Sequence, residues 1–238
     1  FPDACDILED ADEDPSNPNN VWMVYSNESY VDGNACSGSY NREHTWPRSR
    51  FTGENESTPG RDTHQLMATT VSYNTARGNR YFDNCLTGCS NVGLTTTSYN
   101  GVGGSSDRGD SNWRDNSVFE VWDYRKGDIA RAMFYMDVRY EGDDGEPDLQ
   151  LTDNLAQLVN ITENFMGSLS TLCEWHYADP VDSNDTSRNE VVFSFQENKN
   201  PFIDHPEWVA KVFEDTPACL GDVDNDIIFS NGFEQNSK

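Results

Sequence analysis

Four histidines, His44, His64, His176 and His205, limit where proton-transfer chemistry can sit. An unperturbed imidazole titrates near neutrality, so each is a candidate base. His205 stands in Ile-Asp-His-Pro-Glu and reads as a cap or packing residue at a helix start. His176, between Trp175 and Asp179-Pro180, reads as structural. His44 differs, because it directly follows Glu43 in Tyr40-Asn41-Arg42-Glu43-His44-Thr45-Trp46-Pro47. Neighbours on an extended strand point to opposite faces. Glu43 can therefore hold a hard cation while His44 addresses a water from another direction. Asn74, in Val71-Ser72-Tyr73-Asn74-Thr75-Ala76-Arg77-Gly78-Asn79, offers a neutral oxygen. That donor suits Mg2+, which keeps most of its waters and takes few protein ligands.

The same segment carries inverted charge. The chain has 42 acids against 16 basic residues, a net charge of −26, which taken alone argues against a polyanionic partner. Between residues 41 and 82, however, Arg42, Arg48, Arg50, Arg61, Arg77 and Arg80 face only four acids, a local balance of +2 that leaves −28 elsewhere. Arg77 can clamp a phosphate in bidentate fashion, or pair with Asp62 or Glu43. The other five arginines either contact phosphates or are solvated. His64 reads as a supporting or packing residue, and Arg188-Asn189-Glu190 as structural.

Positioning Glu43, His44 and Asn74 requires a strand over 40–46, a polar loop over 52–61, a second strand over 64–70 and a helix over 71–82. Residues 21–31 can form strand or helix, and 91–112 reads as a long surface loop. Ile129, Met133, Met136 and Tyr140 recur at spacings of 4, 3 and 4, one face of a helix over 127–140. Leu155, Leu158, Phe165, Leu169 and Leu172 suggest a similar stripe across a longer helical segment, and Pro206 a helix start with Trp208, Val209 and Phe213 inward. Hydrophobic residues at 35% and aromatics at 12% argue for a packed core. No apolar run approaches the ~18 residues of a membrane helix. The first residues lack a basic or apolar leader, so a signal peptide is expected to be already removed or never present. Six cysteines, in no zinc-binding pattern, suggest disulfides and an oxidising compartment, with free buried thiols as the alternative. Chain proximity favours Cys5–Cys36, Cys85–Cys89 and Cys173–Cys219.

Asn41-Arg42-Glu43-His44-Thr45-Trp46-Pro47, Asp62-x-His64-x-Leu66 and Asn74-x-x-Arg77-x-Asn79 together resemble the bacterial endonuclease I family of secreted and periplasmic nucleases. The likeness continues through Lys126-Gly127-Asp128-Ile129-Ala130-Arg131, Trp175-x-x-x-Asp179-Pro180-Val181 and Asn200-Pro201-Phe202-Ile203-Asp204-His205-Pro206, covering about residues 20–215. It implies an α+β single domain built around a ββα-metal (His-Me) finger, with a largely helical second half and long loops. Residues 1–20 would form an acidic N-terminal segment, 21–215 the catalytic domain, and 216–238 an acidic tail. By the same resemblance, Glu43 and Asn74 hold one Mg2+, with Mn2+ or Ca2+ as substitutes, and His44 is the general base. Arg77 joins the catalytic set, Arg42, Arg48, Arg50, Arg61 and Arg80 bind substrate, and Asp62, His64 and Asn79 support the site. The expected activity is a largely non-specific, salt-tolerant, secreted or periplasmic monomer. It would cleave double- and single-stranded DNA, and RNA as a further substrate, to 5′-phosphate and 3′-hydroxyl ends without a membrane partner. Two departures stand out: Gln65 occupies a position where Asn is common, and the chain is unusually acidic for a nuclease. A zinc hydrolase using His44 and His64 lacks a third ligand at typical spacing. A non-catalytic Ca2+ module built on Asp222-x-Asp224-x-Asp226 lacks the Gly and Glu of an EF-hand loop.

Overall fold

In a computed structural model, residues 4–31, 40–51, 58–93 and 108–221 are described. Helix α1 (Ala4–Ala11) buries Cys5, Ile7, Leu8 and Ala11, whose spacing by three and four places them on one face. Strands β1 (Glu13–Asp14), β2 (Asn17–Trp22) and β3 (Ser29–Val31) form an antiparallel sheet in sequence order. Strands β4 (Asn41–His44) and β5 (Leu66–Thr69) pair antiparallel, with Glu43 opposite Met67 and His44 opposite Leu66. Thr70 then caps α2 (Val71–Arg77): its extended backbone and its hydroxyl accepting from the Tyr73 N–H start the helix one residue after β5. Gly78 ends it at φ +58°, a left-handed conformation a Cβ would strain. Strand β4 carries Glu43 and His44, α2 carries Asn74 and Arg77, and β5 joins the two.

Beside them, β6 (Tyr81–Phe82), β7 (Ser90–Gly93), β8 (Asn112–Arg114) and β9 (Val118–Glu120) form a sheet in the order β6-β9-β8-β7. Helix α3 (Lys126–Arg139) is the central support, with Ile129, Met133, Phe134 and Met136 wholly buried. Burial of each such side chain contributes about 1.5–3 kcal/mol. The chain continues through β10 (Gln150–Leu151), α4 (Leu155–Leu158), β11 (Phe165–Met166), α5 (Leu169–Ala178), α6 (Ser183–Gln196), α7 (Pro201–Asp204) and α8 (Val209–Val212). Helix α5 packs on α3 through Leu172, Cys173 and Trp175. Helix α1 lies against α6 and β5, so the N-terminal segment is joined to the body by packing as well as by the disulfide at Cys5.

Cys85–Cys89 and Cys173–Cys219 are disulfides as expected, while Cys36, the expected partner of Cys5, lies outside the described residues. So do Asp222-x-Asp224-x-Asp226 and most of the acidic tail. Three helical expectations need correction. The stretch 155–172 is not one helix: α4 ends after a single turn, and the polar Asn160, Thr162 and Asn164 lead into β11, which pairs parallel with β10. The helix expected to 82 stops at Arg77, and Tyr81 and Phe82 become strand. Trp208 does not point inward but is 39% exposed, stacked on His205 at 4.4 Å.

Candidate active site

Glu43 sits inside the β4–β5 ribbon with only 1% of its surface exposed. A buried carboxylate needs partners, and two are present. The Tyr25 hydroxyl donates to Glu43 Oε1 at 3.0 Å, and Arg77 Nη1 lies 3.2 Å from the same oxygen. Burial pushes the Glu43 carboxyl up to about 7, against the opposing pull of the Arg77 charge and the Tyr25 hydrogen bond.

His44, the next residue, is half-buried and its Nε2 lies 3.0 Å from the Gly60 carbonyl. A carbonyl can only accept, so Nε2 carries the proton and Nδ1 keeps its lone pair. Burial, aided by the charges of Arg42, Arg48 and Arg77 against the Gly60 hydrogen bond, lowers the His44 pKa to about 4. The ring is therefore neutral at physiological pH and able to accept a proton at Nδ1.

Asn74 is oriented from α2 by its own amide, Nδ2 donating to the Arg42 carbonyl at 3.1 Å. That bond ties the helix to β4 and leaves the amide oxygen as a hard donor atom. One carboxylate and one amide oxygen on adjoining elements form a hard donor set that fits a mostly hydrated Mg2+. No group of three His, Cys, Asp or Glu side chains suited to a metal occurs among the described residues, as a zinc site would require.

Arg77 is wholly enclosed. Besides Glu43 it donates from Nη1 to the His44 carbonyl at 3.0 Å and from Nη2 to the Thr45 carbonyl, with its guanidinium 4.6 Å from the centre of the Phe82 ring. Of its two expected ion-pair partners, the structure supplies Glu43. Arg50 is likewise turned inward, donating to the carbonyls of Phe165, Leu158 and Asn79 at 2.7, 2.8 and 3.1 Å. Arg80 is half-buried and bonds the carbonyls of Ala76, Arg77 and Asp115. Arg48 and Arg61 are exposed, and Arg42 is half-buried beside the site. Asn79 is exposed and serves Arg50 through its carbonyl.

Asp62 is a buried hub: Oδ2 accepts from Tyr135 and Tyr140, each at 2.7 Å, and Oδ1 from the His64 N–H and Gln196, each at 2.9 Å. His64 bonds the Asn198 carbonyl at 3.0 Å and packs on Tyr135, away from any metal-like cluster. His176 is buried on Phe134 and the Pro206 carbonyl. Arg188 holds Asp12 and the carbonyls of Thr63 and Leu66.

Two supports escape a reading of the motifs alone. Tyr25 comes from a segment whose only sequence signal is aromatic content. Gln65, wholly buried, accepts from the Trp46 N–H at 3.1 Å and donates to the Pro59 carbonyl at 2.9 Å. It thereby fixes the turn whose next residue, Gly60, orients His44. A cavity of about 420 Å3 lies beside α1 and α6, where Asp10, Asp12, Glu13, Asp128 and Asp185 outnumber Arg125 and Arg188.

The structure thus brings an imidazole, a buried carboxylate and an oriented amide onto one strand and the helix that follows its partner strand. The family model of Endonuclease I matches residues 2–207, and the chain belongs to that family of nucleases. It is 41% identical over 217 residues to the extracellular ribonuclease of Bacillus amyloliquefaciens, covering 90% of this chain and 68% of that protein. The extracellular ribonuclease of Bacillus subtilis (strain 168) is 40% identical over 219 residues, with the same shares covered.

Proposed function

We propose that this protein is a secreted, Mg2+-dependent endonuclease of low sequence specificity whose site is a ββα-metal finger formed by β4, β5 and α2. The observation that carries the proposal is the 3.0 Å contact between His44 Nε2 and the Gly60 carbonyl, which assigns the ring proton to Nε2 and leaves Nδ1 as acceptor one residue along β4 from Glu43. Glu43 and Asn74 would hold the ion, which when bound would stabilise charge on the phosphate and on the departing oxygen. His44 Nδ1 takes one proton from a water, and the resulting hydroxide attacks phosphorus. The P–O3′ bond breaks, O3′ takes a proton from solvent, and the products end in 5′-phosphate and 3′-hydroxyl. Arg77 holds Glu43 and the His44 backbone in register, so its part is positioning.

RNA is favoured as one substrate by the names of the two relatives, while the family name, Endonuclease I, specifies neither RNA nor DNA. Contacts to phosphate carry little base information, so both fit one site. The extracellular relatives and the disulfides support secretion. The test is digestion of plasmid DNA and of RNA in Mg2+ buffer, with EDTA and His44→Ala controls. EDTA should abolish cleavage, and the variant should lose the ~10²–10⁴-fold typical of a general base while keeping its fold. Near-normal cleavage by His44→Ala removes that residue from the role.

A further inference from the structure

Arg114 lies on β8, outside the arginine-rich segment, yet its Nη1 donates to the carbonyl of Ala76 at 3.2 Å. The same oxygen accepts Arg80 Nη1 at 3.1 Å. Two guanidiniums thus converge on one carbonyl at the C-terminal end of α2, their nitrogens separated by no more than the sum of those two bonds. Arg80 also bonds the carbonyl of Arg77, the residue that pairs with Glu43, so this pair is contiguous with the active site.

Among the described residues neither arginine has a carboxylate partner, in a chain carrying −26. The nearby Asp115 acts on Arg80 through space and through its backbone: its carbonyl accepts Arg80 Nε at 2.6 Å, while its carboxylate closes its own turn on the N–H groups of Ser117 and Val118, both at 2.7 Å. Burial lowers the pKa of Arg80 and the Arg114 and Arg77 charges lower it further, against the opposing pull of the Asp115 carboxylate. Two like charges are held together with no carboxylate hydrogen-bonded to either among the described residues, and the fork of Arg114 has one of its five N–H donors engaged.

We propose that Arg80 and Arg114 form a second phosphate site, binding a phosphodiester of the nucleic-acid strand next to the one cleaved at Glu43, His44 and Asn74. A diester oxygen between two guanidiniums accepts charge-assisted hydrogen bonds from both and cancels their repulsion. Ala76 is two residues beyond Asn74 on the same helix, so α2 fixes this site against the reacting one. The inference rests on the nuclease reading above.

The test compares Arg114→Met and Arg114→Lys with the parent on single-stranded polynucleotide and on bis(p-nitrophenyl) phosphate, which has a single diester. For Arg114→Met the ratio of kcat/KM between the two substrates should fall about tenfold, mainly through KM for the polymer, with partial recovery in Arg114→Lys. Fluorescence anisotropy of a labelled oligonucleotide in EDTA supplies a readout without catalysis: the slope of log Kd against log salt should shrink by about 0.7. Equal losses on both substrates, or an unchanged salt slope, would show that Arg114 only caps α2 and would overturn the proposal. If the parent cleaves neither substrate, the nuclease reading fails on its own, and the anisotropy slope still decides whether Arg114 binds phosphate.

Discussion

Gln65→Leu removes a buried amide that joins the strand of the base to the turn that orients it. Leucine roughly conserves volume, so the change is mainly one of hydrogen bonding. It strips the partner from the Trp46 N–H and one of two donors from the Pro59 carbonyl, which also accepts the Asp62 N–H at 3.4 Å. An orphaned buried donor costs about 1–3 kcal/mol, and the half-served carbonyl adds less. Urea unfolding should therefore show a loss of about 2–4 kcal/mol. The larger consequence is geometric: the Gly60 carbonyl, one residue from Pro59, sets the His44 ring. A displacement of about 1 Å at a reacting group can cost ~10²-fold. We expect kcat to fall by that order with KM little changed, measured where the variant is folded by circular dichroism. Long-range proton–nitrogen correlation spectra should show His44 losing its single Nε2–H tautomer. A stable, folded Gln65→Leu with parental kcat, or a loss that only tracks the unfolded fraction, would refute the reasoning.

Glu43→Ala and Asn74→Ala should both weaken Mg2+ binding by calorimetric titration, but only Glu43→Ala should cost about 3–5 kcal/mol of stability, because it leaves Arg77 buried without its carboxylate. If the two variants bind Mg2+ like the parent, the metal assignment is wrong. Replacing both cysteines of Cys173–Cys219, 46 residues apart, should destabilise by about 4 kcal/mol, against about 2 kcal/mol for Cys85–Cys89, 4 residues apart. Equal urea midpoints for the two double variants would contradict that loop-length argument. Cleavage should rise with NaCl to several tenths molar, since the Debye length falls from about 30 Å at 0.01 M to about 3 Å at 1 M and screens the −28 outside the site segment. A rate that falls steadily from about 0.05 M upward would show that phosphate contacts dominate instead.

What the sequence makes legible here is local. Glu43 and His44 alternate on a strand, and β5 and α2 follow within thirty-odd residues, so the strands expected over 40–46 and 64–70 enclose β4 and β5, while the helix expected over 71–82 starts where α2 starts and runs five residues too far. The stripe from Ile129 to Tyr140 likewise met its partner, α5. The stripe from Leu155 to Leu172 misled because its apolar spacing survives two changes of structure: Asn154 caps one turn of helix through the Ala156 N–H, and Asp153 takes the Ser170 N–H at the start of the next helix. Helix α1 was hidden by its acids, although Ile7, Leu8 and Ala11 form a buried face. Tyr25 and Gln65 could not be assigned roles, because their partners are set by how β4 meets distant segments rather than by spacing.

Formal charge was the feature most changed by folding. A count along the chain treats each arginine as a surface cation, but a guanidinium presents five donors and stacks on aromatic rings, so it can also serve buried carbonyls. Arg50 and Arg77 do so at 0% and 1% exposure, Arg131 is bound to Asp185 and the Asp179 carbonyl, and Arg125 lies over Trp22 at 3.6 Å. The +2 of residues 41–82 is thus partly interior, where it holds Glu43 and the strand that carries His44. What remains at the surface near the site is a small set, Arg48 and Arg61 exposed and Arg42 and Arg80 half-buried, joined from outside the segment by Arg114. A few cations set against a strongly acidic body can grip phosphates at short range but cannot steer a polyanion from afar. On the proposed function, substrate capture in this chain depends on short-range contact and on salt, rather than on the long-range field that a basic nuclease brings to bear.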